Sequence, residues 1–360
     1  MIDFVNNIFI NINQVIESGL ATFLPSWLVF VITTVIKGAV LVAFIMVNLL
    51  NFVYLERRLI GRFQARLGPN RVGPFGLLQN VADAIKILTK EDITPRAADH
   101  FVHAIAPVVT MVPVFLVFAV IPIGNGWGRD AGIPMSLADL NVGVLYVVAV
   151  TSIEVLGILM AGWGSNNKFA LFGGMRAVAA VISYEIPVVL ALIGPAMIAG
   201  SLSLGAIVET QQASHLWFIV PQFLAFVVFF LGSQAELNRS PFDILEAEQE
   251  IVAGFHTEYS GFKFSIFYLA EYAAAVAFSA LITAIFLGGG DGWILPSWFW
   301  FLAKMYLVFF LMLWIRATLP RLRADQVMHF AWKFLLPLAL VNILLTALGI
   351  LVVQQFGILT

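Results

Sequence analysis

Three acidic side chains stand where a charge is costly. Glu154, Glu185 and Glu271 fall inside long apolar runs, and Glu236 stands at the end of another. An ionised acid at the middle of a bilayer costs about 2.5–3.5 kcal/mol on insertion scales, so such groups face a bundle interior or a water-filled cavity. A buried carboxyl whose pKa rises toward neutrality can take up and release protons at working pH, and four in one chain suggest a proton path. The plainer reading is a set of carboxyls satisfied by hydrogen bonds between helices.

Glu236 also opens an acid-rich stretch. Residues 236 to 259 hold Glu236, Asp243, Glu246, Glu248, Glu250 and Glu258, six of the 21 acids, against one Lys or Arg, Arg239. Asp243, Glu246 and Glu250 are spaced i, i+3, i+7, so a helix would stack them on one face while Glu248 points roughly the opposite way. Like charges that close push at least one pKa upward. Core packing asks for none of this; a solvated loop between membrane helices is the alternative.

The elements that must position these groups are membrane helices. A mean hydropathy of +0.96 with 11% charged residues describes an all-α, polytopic membrane protein. Eight transmembrane helices are expected at about residues 27–54, 101–123, 139–162, 175–199, 216–235, 264–287, 298–317 and 331–353, in one integral membrane domain over residues 1–360. Amphipathic interfacial helices are expected over residues 4 to 23, and after Gly73-Pro74, where Leu77, Leu78, Val81, Ile85 and Leu88 recur at helical spacing. The intervening loops 55–100, 163–174, 236–263 and 318–330 fall on one side. Counted as segments 55–100, 163–176, 236–263 and 316–333, they hold 8, 2, 2 and 4 of the 19 Lys and Arg, whereas the opposite set holds only Arg129. The positive-inside rule places them in the cytoplasm and both termini outside. Trp27, Trp127, Trp217, Trp293, Trp298 and Trp300 lie near span ends, where amphipathic rings favour the interface.

Zero cysteines exclude disulfides, thiolate chemistry and cysteine-ligated iron–sulfur clusters within this chain. His100 and His103 are spaced i, i+3, but no ligand set completes a metal site, and none is expected. His256 lies in the acidic stretch, suited to proton exchange near neutral pH or to a structural hydrogen bond. Lys37 and Lys304 fall within apolar spans, as bundle-facing groups or as lysines snorkelling to the headgroups. Gly288-Gly289-Gly290 is a turn on the outer side, with no Lys-Ser/Thr to make it a phosphate loop.

Three motifs carry a family resemblance. Glu56-Arg57-Arg58 through Gln64, Arg66, Gly68-Pro-Asn-Arg-Val-Gly-Pro74 and Lys90-Glu91 resembles the first signature of the quinone-site membrane component, the H subunit, of respiratory complex I, the proton-pumping NADH:quinone oxidoreductase. Glu236 to Tyr259 resembles its second signature, and Arg316-Ala-Thr-Leu-Pro-Arg-Leu-Arg-Ala-Asp-Gln326 a third motif. Two departures stand out: Asn80 and Leu245 occupy positions where the family usually has proline.

The resemblance implies one component of a multisubunit translocase in the bacterial inner membrane, not catalytic alone. It implies quinone as substrate, ubiquinone or menaquinone, in a chamber shared with a hydrophilic subunit. Glu56, Arg57, Arg62, Asp243, Glu246, Glu248 and Glu250 match that chamber. Glu154, Glu185, Glu236 and Glu271 match a buried proton path toward other membrane-arm subunits. Iron–sulfur clusters and FMN are implied only in partner subunits. Two rivals are the membrane subunit of an energy-converting hydrogenase, and a stand-alone secondary transporter, which would show inverted repeats that this chain lacks.

Overall fold

The structure is a computed structural model and describes residues 17–19, 22, 24–124, 136–243, 253–292 and 295–356. Among these residues every regular element is helical: α1 (Ser26–Phe63), α2 (Gln79–Leu88), α3 (His100–Val117), α4 (Gly143–Gly164), α5 (Lys168–Ala199), α6 (Leu204–Ser214), α7 (Phe223–Glu236), α8 (Gly261–Phe286), α9 (Ser297–Thr318), α10 (Ala324–Phe330) and α11 (Leu336–Phe356). A π-helical turn at Ala331–Leu335 joins the last two. Seven helices are long and apolar enough to cross a membrane, counting α10 and α11 as one. The eighth apolar helix, α7, has 14 residues, about 21 Å at 1.5 Å per residue.

Several helices run past the limits that hydropathy draws. Hydropathy ends the first span at residue 54, but α1 continues to Phe63, carrying Glu56, Arg57 and Arg62 on its last turns. It begins the fourth at 175, but α5 begins at Lys168, where the Asn167 side chain accepts from the Phe169 N–H. Hydropathy reports where a segment leaves hydrocarbon, whereas the backbone keeps its helical bonds as long as good helix formers such as Leu55, Glu56 and Arg57 follow. The fifth span differs the other way: hydropathy starts it at 216, yet residues 218–222 form turns and α7 starts at Phe223.

The core is built around α8. In its apolar window 83% of residues are buried, against 17% for α1 and for the C-terminal helix. Small residues explain this: Ala270, Ala273, Ala274, Ala275, Ala277 and Ala280 let neighbouring helices approach closely, which drives association where lipid offers no hydrophobic penalty. Helices α1, α3 and α9 all pack on α8, while α4 packs between α3 and α5. At the α3–α4 seam a Cβ on Gly157 would lie 2.3 Å from Thr110 Oγ1, so only glycine fits. On the α1–α9 seam the Phe52 and Phe309 rings stack with centroids 3.6 Å apart, and the Tyr306 hydroxyl donates to Asn48 Oδ1 at 3.0 Å.

Polar bonds fasten the loops to this bundle. Asn80, at one of the two positions where the resembled family usually has proline, is buried and donates its side-chain amide to the Leu50 carbonyl at 2.6 Å, tying α2 to α1. A proline there has no such donor. Lys263, early in α8, pairs with Asp92 at 2.9 Å, and the Ser260 hydroxyl accepts from the Ile93 N–H at 2.7 Å. The Leu322 N–H donates to the Pro241 carbonyl at 2.9 Å, bringing the second and third motifs together.

Candidate functional site

The lone base of the acidic stretch is the centre of a buried charge cluster. Arg239 follows the end of α7 and is 2% exposed. Its Nη1 reaches Glu56 Oε2 on α1 at 3.2 Å, and its Nε reaches Glu271 Oε1 on α8 at 3.2 Å. Glu56 also pairs with Arg316 on α9. The Arg239 guanidinium lies 4.7 Å from the Tyr272 ring centroid and 5.7 Å from that of Phe309, close enough for a cation–π contribution. Two guanidinium groups, one from the turn after α7 and one from α9, thus face two carboxyl groups, one from α1 and one from α8. An isolated buried charge would cost several kcal/mol, and this arrangement offsets that cost by pairing. Arg239 Nη2 has no protein partner among the described residues.

Beside the cluster lies a narrow cavity of about 50 Å³, lined by Glu154, Glu236, Glu271, Asp243, His256 and Arg316 among others. That is room for a few waters and well below the roughly 300 Å³ at which small-molecule sites begin. The cavity joins helices α4, α7, α8 and α9, so carboxyls far apart in sequence share one space. Glu185 stands on α5 within electrostatic range of Glu236 and contacts the Ser152 hydroxyl of α4.

The model of the NADH dehydrogenase family matches residues 36–347. The chain is 55% identical over 318 residues to the H subunit of NADH-quinone oxidoreductase from Dehalococcoides mccartyi strain CBDB1, covering 88% of this chain and 87% of that one. It is 48% identical over 334 residues to the H subunit from Brevibacillus brevis, covering 90% and 94%, and 47% identical over 342 residues to the H subunit numbered 1 from Geobacter sulfurreducens, covering 91% and 97%. The chain belongs to the family of NADH-quinone oxidoreductase H subunits. It is therefore one component of a multisubunit oxidoreductase.

The first signature of these H subunits splits into two faces here. Glu56 turns inward to the charge cluster, whereas its neighbour Arg57 turns outward and pairs with Asp83 on α2. Burial raises the Asp83 pKa, but the bonds from Arg57 and Gln79 outweigh it and hold the carboxyl below its usual value. Arg62 is exposed near the end of α1. In the second signature, Asp243 pairs with Arg321, while its other oxygen is buried without a protein partner among the described residues. Glu246, Glu248, Glu250 and Leu245 lie outside the described residues, as do Trp127, Trp293 and most of residues 4 to 23.

The two lysines of the apolar spans part ways. Lys37 is 41% exposed and pairs with Glu17 at 3.5 Å. Lys304 does not snorkel. It is 6% exposed and donates to the carbonyls of Leu287 at 2.7 Å, Gly289 at 3.1 Å and Asp291 at 2.7 Å, with the Trp217 ring 4.4 Å away. The Gly288-Gly289 turn, at φ of 71° and 57°, takes the left-handed conformation that glycine adopts freely. What it does there is present carbonyls to a lysine.

Arg239 and Arg316 stand in the motifs of the sequence but were not among the residues expected to form the site. One signal pointed to them: a carboxyl in an apolar environment needs a counter-charge, and Arg239 is the single Lys or Arg of its acidic stretch.

Proposed function

We propose that this chain, with a hydrophilic redox partner, forms the channel in which quinone is reduced, and that Glu154, Glu185, Glu236 and Glu271 carry the coupled protons into the membrane arm. The observation that carries this reading is the Arg239 guanidinium held between Glu56 and Glu271 beside a water-sized cavity lined by three of the four path acids. Quinone reduction consumes protons and changes charge on the Glu56 and Asp243 side. At contact distance and an effective dielectric of 20, one unit of charge acts with about 4 kcal/mol, enough to alter how firmly Arg239 holds Glu271. Glu56 and Asp243 form the inner wall of the chamber, Arg57 and Arg62 its outer rim, and Glu246, Glu248 and Glu250 complete it. The cavity is too small for a quinone head, so the partner supplies the remaining wall. Electrons come from an iron–sulfur cluster in a partner, with FMN further upstream.

The membrane is the bacterial cytoplasmic membrane, with both termini on its outer face. An impermeant thiol reagent applied from outside labels Ala213→Cys and not Thr89→Cys on this reading; the reverse pattern inverts the orientation.

The proton path is tested at Glu185 in the reconstituted complex. Glu185→Gln keeps size and hydrogen bonding but cannot change charge, so the complex assembles and loses quinone reduction and pumping together. Glu185→Asp retains partial activity. A Gln variant that pumps normally makes Glu185 structural.

A further inference from the structure

We infer that His256 is a proton-relay residue of the acid-lined cavity, passing protons between the water it holds and the carboxyls of Glu154, Glu236 and Glu271. The inference rests on the proton-path reading above and extends it to a residue that reading does not use.

His256 closes a single helical turn, Gly254–His256, that is pressed onto α5: a Cβ on Gly173 would lie 2.7 Å from Gly254 Cα. The side chain is 7% exposed and wedged edge-on between Phe255 and Phe264, with ring centroids 4.9 and 5.2 Å away. Aromatic walls set the plane of the ring but offer no strong hydrogen-bond partner. Among the described residues no hydrogen bond holds its ring, yet the residue lines the cavity. Polar groups without a protein partner take water where there is room for it, and the cavity beside His256 has that room.

The groups facing the cavity with it are Glu154 from α4, Glu236 from α7, Asp243 from the loop, Tyr268 and Glu271 from α8, and Arg316 from α9. From α5, the turn meets the backbone of Gly173. Burial pushes the His256 imidazole down to about 4, so at working pH the ring is neutral, one nitrogen donating and the other accepting. Such a ring relays without storing charge: a proton arrives on the accepting nitrogen as another leaves the donating one, and a flip of the ring about its Cβ–Cγ bond restores the starting tautomer before the next transfer. His103 offers a contrast. It is fully buried, stacked on Tyr259 at 3.9 Å with both ring nitrogens unpartnered among the described residues, but it does not line the cavity.

The test uses the whole complex in sealed vesicles. In His256→Gln, which keeps hydrogen bonding but relays poorly, quinone reduction and pumping fall at least about tenfold. The KM for quinone stays unchanged, and the solvent deuterium isotope effect rises because proton transfer becomes limiting. His256→Ala falls further and recovers saturably with added imidazole. A wild-type rate and isotope effect in His256→Gln overturn the proposal, as does failure of Gln, Asn and Ala variants alike to retain partner subunits, since that makes the ring structural. Glu154→Gln is measured in parallel. If it pumps normally, the carboxyl path itself is wrong; if it is dead while His256→Gln is normal, only the relay fails.

Discussion

Two cations are buried along the same pair of helices, α8 and α9, and they are satisfied in opposite ways. At one end, Lys304 gives its protons to three main-chain carbonyls, those of Leu287, Gly289 and Asp291. At the other, Arg239 binds two carboxyls, Glu56 and Glu271, and leaves one nitrogen without a partner among the described residues. Carbonyls cannot change charge, so the partners of Lys304 are fixed and the site serves as a strut for the outer turn. The partners of Arg239 are instead side chains of a titratable type, so their chemistry alone does not fix the charge they carry. Burying a cation is therefore not in itself a sign of function; the titratability of its partners is what separates a strut from a switch.

Removing each cation tests that separation. Arg239→Met should have the largest effect, because it leaves Glu56 and Glu271 buried without their shared partner, at about 3–5 kcal/mol. Quinone reduction should be lost even in whatever complex assembles; activity per assembled complex near wild type would place Arg239 with the struts. Lys304→Met should cost less, about 1.5–3 kcal/mol for the strongest of the bonds it removes, seen as a lower thermal inactivation temperature. Its activity per assembled complex should stay within about twofold of wild type, and a selective loss of pumping would erase the distinction. Arg57→Lys should have the smallest effect. The arginine is 42% exposed and pairs with Asp83, and surface pairs contribute about 0–1 kcal/mol. A large fall in quinone reduction with that variant would show that the guanidinium itself, rather than its charge, serves the chamber.

How much of this was legible in the sequence differs by kind of interaction. The apolar runs and the three motifs pointed to a helical bundle and to the family, because hydropathy and local spacing are properties of contiguous residues. The bonds that make the site are not contiguous: Glu56 and Arg239 are 183 residues apart, and Glu56 and Arg316 are 260 apart. No periodicity predicts which carboxyl an arginine chooses across that distance. Lys304 shows the same limit from the other side, since hydropathy could not tell a snorkelling lysine from one caged by a glycine turn. Asp243 was readable as an acid among acids. Its partner Arg321 was visible only as part of a separate motif, and the bond between Leu322 and Pro241 holds the two motifs side by side in space.

The π-helical turn at Ala331–Leu335 sets the phase of the C-terminal helix. Val327, Ala331, Leu335 and Ala339 are all buried, a stripe repeating every fourth residue. On a straight α-helix of 3.6 residues per turn, each such step overshoots by about 40°, and three steps would carry the stripe about 120° round toward lipid. The wider turn rotates less per residue and takes up part of that drift. It does so just before Pro337, which has no N–H to offer the carbonyl one α-helical turn back. What reads locally as a fault in the helix is thus a phase correction that keeps a single seam of small and branched side chains against the bundle.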